Sequence, residues 1–353
     1  MEFDNWQDQI KKSVTSVEQL SEFLELCEQD IQAIKKVPFQ FRVTPYYISL
    51  MKRNDGNCPI RMQALPSINE LDNTFGTPDP LYESSHSPIP LIIKIYPDRV
   101  AFLVSNRCSI FCRHCLRKHT VITQCDEYLP EQIKQAIQYI KDDVKIRDVL
   151  LTGGDPLMLE DEILEWILSE LRKISHVEII RIGTRMICTL PQRITESLCS
   201  MLEKYHPIWL NTQFNHPDEL TEQARKAINL LLKAGIPVSN QSVLLKGIND
   251  SIETMRRLVQ KLVYFRVRPY YIYQAQTLKG TEHFITPIET GINIIKNIRG
   301  YTSGLCEPRY VLDTPHGKIP INPNYSIGRE NEYFLLRTYD DHIWKEYNPL
   351  QKG

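Results

Sequence analysis

Net charge is almost missing from this chain: 42 Lys and Arg against 43 Asp and Glu leave −1 over 353 residues. That balance excludes the broad basic footprint of a nucleic-acid binder and the acidic excess of a solvated tail. Long apolar runs are missing too. No stretch approaches the ~20 consecutive apolar residues of a membrane span, and the polar, acidic opening from Met1 to Lys12 has no apolar h-region. A cytoplasmic protein with no nucleic-acid or membrane partner is expected. There is no internal repeat and no low-complexity tract. Nor is there a disulfide framework: nine cysteines are an odd number, and Cys27, Cys58, Cys125, Cys188, Cys199 and Cys306 lie scattered, as small buried hydrophobes would in a reducing compartment. What remains is a chain long enough for one large core with appended pieces, or for two domains, whose partners are expected to be small molecules.

The apolar residues that are present change rhythm twice. Residues 1–92 read as a helical and loop-rich extension: T-S-V-E-Q-L-S-E-F-L carries a capping-type start and an i, i+3, i+4 apolar pattern, followed by a Pro-containing stretch from Pro38 to Pro90. Over 93–300, short apolar runs alternate with amphipathic segments of helical length. The runs are V-A-F-L-V, D-V-L-L-T, V-E-I-I-R-I, P-I-W-L-N-T, I-P-V-S-N-Q-S-V-L-L and R-P-Y-Y-I-Y; the helices include Pro130 to Lys141, Glu160 to Ile174, Asp218 to Ala234 and Ser251 to Val263. Six βα units of this kind predict an α/β fold with a parallel sheet. Polar groups follow the strands, as T-G-G-D, G-T-R, Q-F-N-H-P and K-G-I-N-D, and in parallel α/β architectures such groups share one mouth. Residues 301–353, rich in Pro and Gly, are expected to fold back over the core rather than form a separate domain.

Cys108, Cys112 and Cys115 fall directly after the first of these strands, on its carboxyl-end loop. Three readings of that spacing compete. Zinc would want a fourth ligand; His114 is available, but no second knuckle follows. Three buried thiols without metal would want an apolar loop, whereas Arg113, His114, Arg117 and Lys118 surround these. An iron-sulfur cluster normally takes four cysteines. Three would leave one iron open to another ligand.

C-x-x-x-C-x-x-C after the first strand resembles the signature of the radical S-adenosylmethionine (SAM) enzymes, in which the cofactor's amine and carboxylate chelate the open iron of a 4Fe-4S cluster. That resemblance implies a partial (β/α)6 barrel and an external one-electron reductant. It also picks out Gly153, Gly154 and Asp155 in L-T-G-G-D-P as the turn that approaches SAM, a turn that glycines suit because they have no Cβ; a plain β-turn would use the same residues.

The likeness narrows further. T-P-Y-Y-I-S-L (44–50), Y-P-D-R-V (96–100), C-S-I-F-C-R-H-C-L-R (108–117), R-D-V-L-L-T-G-G-D (147–155), H-P-I-W-L-N-T-Q-F-N-H-P (206–217), N-Q-S-V-L-L-K-G-I-N-D (240–250) and G-K-I-P-I-N-P-N-Y (317–325) are similar to the lysine 2,3-aminomutase family. Members move an α-amino group to the β carbon through a 5'-deoxyadenosyl radical and a pyridoxal 5'-phosphate (PLP) aldimine, and assemble as homo-oligomers. By this resemblance Lys318 carries PLP, Tyr96 packs on it and Arg99 holds its phosphate. Gln241 contacts SAM, and Arg117 binds the substrate carboxylate. Gln213 stands where the family often has histidine. Without the family pattern Lys318 would read as an ordinary surface lysine, and Arg117 as a solvated charge.

Substrate choice is expected to rest on two positions. Lysine-specific members hold the distal ammonium with two aspartates; here Gln276 stands at the first, Asp313 at the second, and the glycine run before Lys318 is shortened to Thr314-Pro315-His316-Gly317. The lone carboxylate favours a cationic side chain, since it would be costly unpaired. L-Lysine is therefore the leading substrate. Arginine comes second, because its planar fork could pair with Asp313 and donate to Gln276. A related radical enzyme acting on a protein lysine, a different outcome such as desaturation or decarboxylation of arginine, and a non-enzymatic zinc module are the alternatives. The family's C-terminal zinc-binding cysteines have no counterpart after Cys306.

Overall fold

The computed structural model describes residues 5–72, 74–119 and 128–348; Cys125 lies outside them. Nine strands form one continuous sheet: β1 (Ile92–Tyr96), β2 (Arg99–Ser105), β3 (Asp148–Gly153), β4 (Ile179–Gly183), β5 (Ile208–Thr212), β6 (Val238–Leu244), β7 (Arg268–Gln274), β8 (Arg309–Thr314) and β9 (Gly317–Pro320), hydrogen-bonded in that order. From β2 to β8 every pairing is parallel, and β1 and β9 close the two edges antiparallel. All six anticipated runs are strands. The parallel sheet does not stop near residue 300, because β8 joins β7 as a seventh parallel strand and β9 turns back on β8.

The crossover helices bury one stripe each. Pro130–Asp142 buries Ile133, Ala136, Ile137 and Ile140, and Asp161–Arg172 buries Leu164, Ile167, Leu168 and Leu171, the i, i+3, i+4, i+7 spacing that puts four side chains on one face. Thr221 and Ser251 cap Glu222–Lys233 and Ile252–Tyr264 by accepting from the N–H groups of Ala224 and Thr254. The strands alternate accordingly: Val100, Phe102 and Val104 of β2 and Val149 and Leu151 of β3 are in the core, while Arg99, Ala101, Asp148, Leu150 and Thr152 line the barrel interior.

The two sheet edges meet at one point. Tyr96, at the end of β1, accepts a hydrogen bond from the backbone N–H of Lys318 in β9 at 2.8 Å. Gly317 makes room for it: φ is +106°, and a Cβ there would lie 2.9 Å from the Tyr96 hydroxyl. A three-stranded antiparallel sheet, β10 (Ser326–Glu330), β11 (Tyr333–Arg337) and β12 (Ile343–Tyr347), follows. Among the described residues no helix is long and apolar enough to cross a membrane.

Candidate active site

A cavity of about 650 Å³ runs inside the barrel, and every residue singled out from the sequence lines it: Cys108, Cys112, Cys115, Tyr96, Arg99, Gly153, Gly154, Asp155, Gln241, Arg117, Gln276, Asp313 and Lys318. Three of the four polar groups after the strands also reach it. The fourth, K-G-I-N-D, does not: Asn249 instead holds its own loop, donating to the carbonyls of Asn215 (2.9 Å) and Val243 (2.8 Å).

The cysteine loop is half-buried, and two of its basic residues are not solvated. Arg113 and Lys118 are buried, and both converge on Glu70 of the N-terminal extension: Arg113 donates to the two carboxylate oxygens at 2.8 and 2.7 Å and Lys118 to one at 3.1 Å. Charge on a loop marks exposure only when no counter-ion is supplied, and here one is. Burial pushes Glu70 up, but the hydrogen bonds and charge of Arg113 and Lys118 outweigh it and hold the carboxyl below its ordinary value. Backbone bonds from Phe111 to Arg42 (3.0 Å) and from Arg113 to Gln63 (2.9 Å) pin the loop from the same side.

Burial also acts on the thiols. It pushes Cys108 well above the usual thiol range, with Asp155 and the other two cysteines adding to it, and pushes Cys115 up to about 11, with Cys112 contributing. Bare thiolate is therefore disfavoured at Cys108 and Cys115, an environment a cationic metal centre would reverse. Among the described residues no three His, Cys, Asp or Glu side chains gather tightly enough for one metal ion. A multi-iron cluster takes each thiolate on a different iron and does not require that gathering. His114, between the ligand positions, is held neutral by burial, with Arg185 and Lys118 adding to it; its Nε2 lies 2.9 Å from the Gln213 amide nitrogen.

The glycines of T-G-G-D are required by the fold itself. A Cβ on Gly153, at φ +120°, would lie 2.3 Å from the Ser105 carbonyl oxygen, and one on Gly154 would lie 2.5 Å from that of Arg107. The turn packs on the backbone entering the cysteine loop, and Asp155 donates its N–H to Arg107 at 2.7 Å. The Asp155 carboxylate is engaged within the protein by the Thr184 hydroxyl (2.7 Å) and the N–H groups of Arg185 (2.8 Å) and Leu157 (3.0 Å). It ties the turn to the end of β4. Gln241, on β6, makes no side-chain hydrogen bond to the described residues.

Lys318 and Asp313 face each other across the β8–β9 hairpin, whose two-residue turn is Pro315-His316. The shortened turn makes them cross-strand neighbours, with the ammonium 3.2 Å from the Asp313 carboxylate. The amine sits 5.9 Å from the Tyr96 ring centre and 5.7 Å from that of Tyr273. Arg99 stacks on the other partner of this corner, its guanidinium carbon 3.7 Å from the Tyr96 centroid. The Gln276 amide donates to the Asp313 backbone carbonyl at 2.9 Å, so its side-chain oxygen is the group left to face the cavity. An amine, a guanidinium and two aromatic faces suit a phosphorylated planar aldehyde.

Arg117 is gripped by Glu83, which accepts from Nε at 2.9 Å and Nη2 at 2.7 Å, and Nη1 donates to the Thr152 hydroxyl at 3.4 Å. Of five N–H donors, this leaves one on each terminal nitrogen, the fork that takes a carboxylate. Glu83 and Glu219 are not singled out by the sequence, and Arg185 only as part of a polar group. Glu219 in H-P-D-E and Glu70 in S-I-N-E both look like capping-box acids and are indeed caps. Arg185 belongs to the G-T-R group noted after β4, and Glu83 has no sequence signal beyond its place before the Y-P-D-R-V strand pair.

Residues 102–259 match the model of the Radical SAM superfamily and residues 295–351 that described as Lysine-2,3-aminomutase. The L-lysine 2,3-aminomutase of Clostridium subterminale is 46% identical over 355 residues, covering 99% of this chain and 85% of its own. The glutamate 2,3-aminomutase of Clostridioides difficile is 42% identical, covering 98% and 82%. Among solved structures, a radical SAM methyltransferase from Sphaerobacter thermophilus is similar with a TM-score of 0.47 and 14% identity, covering 63% of this chain and 68% of that one.

Proposed function

This chain belongs to the lysine 2,3-aminomutase family of radical SAM enzymes, and from that premise we propose that it moves the α-amino group of L-lysine to the β carbon, with PLP as its second cofactor. The observation that carries the reading is the single cavity into which the three cysteines, the Gly-Gly turn, the Tyr96–Arg99–Lys318 corner and the Arg117 fork all project. Cys108, Cys112 and Cys115 would hold the 4Fe-4S cluster. The Gly153-Gly154 backbone and Gln241 would hold SAM, with Asp155 fixing the turn. Tyr96, Arg99 and Lys318 would hold PLP. When bound, the cluster and SAM supply a hydrogen-abstracting radical, and PLP supplies a π-system beside the migrating nitrogen.

The protein's own part is to orient and to exclude water. Arg117, fixed by Glu83 and Thr152, grips the substrate carboxylate, so the α and β carbons are presented in one orientation. Asp313 and Gln276 face the distal group. In this reading residues 1–92 clamp the cysteine loop, 93–300 form the first six parallel strands of the barrel, and 301–353 add the seventh and deliver Lys318; the protein works as a cytoplasmic homo-oligomer on a free amino acid with an external one-electron reductant.

Arginine is the second reading. The Gln276 amide is committed through its nitrogen to the Asp313 carbonyl, and the free oxygen beside a carboxylate matches a guanidinium, which offers several N–H donors, better than an ammonium already served by Asp313. The test is anaerobic incubation with reductant, SAM and PLP against lysine, arginine, ornithine, glutamate and glutamine, with mass detection of the β-amino product. β-Lysine with none from the others supports the first reading and β-arginine the second. No β-amino acid from any, with iron, sulfide and PLP loaded, overturns both. Lys318→Ala is expected to abolish product while cluster content stays unchanged.

A further inference from the structure

Arg185 is a buried cation that the proposed function leaves without a task. It follows β4 by two residues, lines the cavity, and is 9% exposed. Four groups fix its guanidinium. Nε donates to the Gln213 carbonyl at 3.3 Å, and Nη2 lies against Glu219 Oε1 at 2.8 Å, Gln63 Oε1 at 2.5 Å and the Tyr47 hydroxyl at 3.3 Å. The backbone is fixed as well, since its N–H donates to Asp155 at 2.8 Å. The remaining nitrogen, Nη1, points at Cys112 Sγ, 2.9 Å away.

Glu219 makes this geometry rigid. It is fully buried; one oxygen takes Arg185 and the Tyr47 hydroxyl (2.6 Å), and the other takes the N–H groups of Asn215 (2.6 Å) and His216 (2.9 Å). With its carboxylate immobilised, Glu219 cannot follow Arg185 toward the sulfur, and Arg185 cannot swing back to water. A thiol is a weak acceptor and gives a buried guanidinium little; a sulfur carrying the negative charge of an iron-sulfur cluster gives it a strong, charge-assisted bond.

We propose that Arg185, anchored by Glu219, is a positioning residue that hydrogen-bonds Cys112 Sγ and raises the reduction potential of the cluster. The inference rests on the reading of Cys108, Cys112 and Cys115 as cluster ligands. Reduction adds one electron from the external reductant to the cluster; no bond to Arg185 breaks and it keeps its proton. The added negative charge meets a fixed positive one at contact distance, in an interior where water does not screen it. The reduced state is therefore stabilised relative to the oxidised one. Nothing has to reorganise when the electron arrives, because the guanidinium is already fixed.

The experiment is a redox titration followed by electron paramagnetic resonance on anaerobically reconstituted full-length protein, after iron and labile sulfide have been measured. Arg185→Met is expected to retain cluster content and shift the midpoint to more negative potential, with Arg185→Lys between it and the wild type. A residue with only a structural role would lower cluster content and leave the midpoint of the remaining cluster in place, and that result overturns the proposal. A second measurement needs no variant: in wild-type protein labelled with 15N-arginine, pulsed resonance of the reduced cluster is expected to show nitrogen coupling. Its absence overturns the hydrogen bond even if Arg185→Met fails to fold. Wild-type protein without labile sulfide would sink the cluster reading itself, an outcome distinct from both.

Discussion

Gly154 has no room for a side chain, and the obstacle is the protein's own backbone rather than a cofactor. A methyl group there meets the Arg107 carbonyl at 2.5 Å, at the entrance to the cysteine loop. Gly154→Ala is expected to cost about 1–3 kcal/mol, the usual range for overpacking a site whose neighbour is main chain, and to lower cluster content because the loop must move. Thermal melting and iron analysis check it: unchanged stability with weakened SAM binding alone would return the glycine to a purely ligand-facing role. The example marks a limit of sequence reading at this scale. T-G-G-D could be found from its place after β3, but the surface that forbids a Cβ is contributed by a loop 47 positions earlier, Arg107 against Gly154. Lys318 is a sharper case. Nothing about an isolated G-K-I-P distinguishes it, and only its match to a family pattern brought it forward; the physical singularity, two tyrosine rings and a facing carboxylate around one amine, is made by β1, β7 and β8 converging.

The strands and crossover helices were legible because each has its own pattern, with short apolar runs in β2 to β7 and apolar residues spaced three and four apart in the helices. β8 was not. Its run, Y-V-L-D-T, sits among Pro and Gly, and its parallel partner β7 lies a whole helix earlier. The surroundings of the cysteine loop are legible as polar at the same scale, but the burial of two of its four basic residues is not, because the Glu70 that pairs with them lies about 40 residues earlier in the chain. That pairing yields a prediction. Removing one partner of a buried ion pair leaves the other unpaired, so Glu70→Gln is expected to destabilise the fold by about 3–5 kcal/mol and to raise hydrogen exchange across residues 108–118. The carboxyl is held below its ordinary value in the folded state, so its contribution is present above the unfolded carboxyl range near pH ~4 and fades as pH falls through the lower folded value. The gap between wild type and Glu70→Gln in denaturant melts should accordingly be full at neutral pH and narrow in acid. A gap that stays constant down to acid would mean that Glu70 acts by packing alone.

At the scale of the whole molecule, one cavity is walled by all three stretches of chain: Leu81 and Glu83 come from the extension, the cysteine loop and strands from the barrel, and Lys318 from the closing hairpin. Its carboxylates are already partnered, Glu83 with Arg117, Asp148 with Arg181 and Asp313 with Lys318, while Asp155 is satisfied by Thr184 and two backbone N–H groups. Unliganded, the carboxylates of the site are therefore closed on the protein itself, and a cationic group taken up beside one of them exchanges one internal partner for another. Global stability should report that exchange, since a ligand that binds only the folded chain adds about 2.7 kcal/mol at a hundred times its dissociation constant, a rise of a few degrees in melting midpoint. PLP is expected to raise the midpoint of the wild type but not of Lys318→Ala. SAM is expected to raise it only in protein loaded with iron and sulfide if, as proposed, its amine and carboxylate take the iron that Cys108, Cys112 and Cys115 would leave open. If SAM stabilises cluster-free protein to the same extent, its main contacts are with the polypeptide, and the missing fourth cysteine is not where it binds.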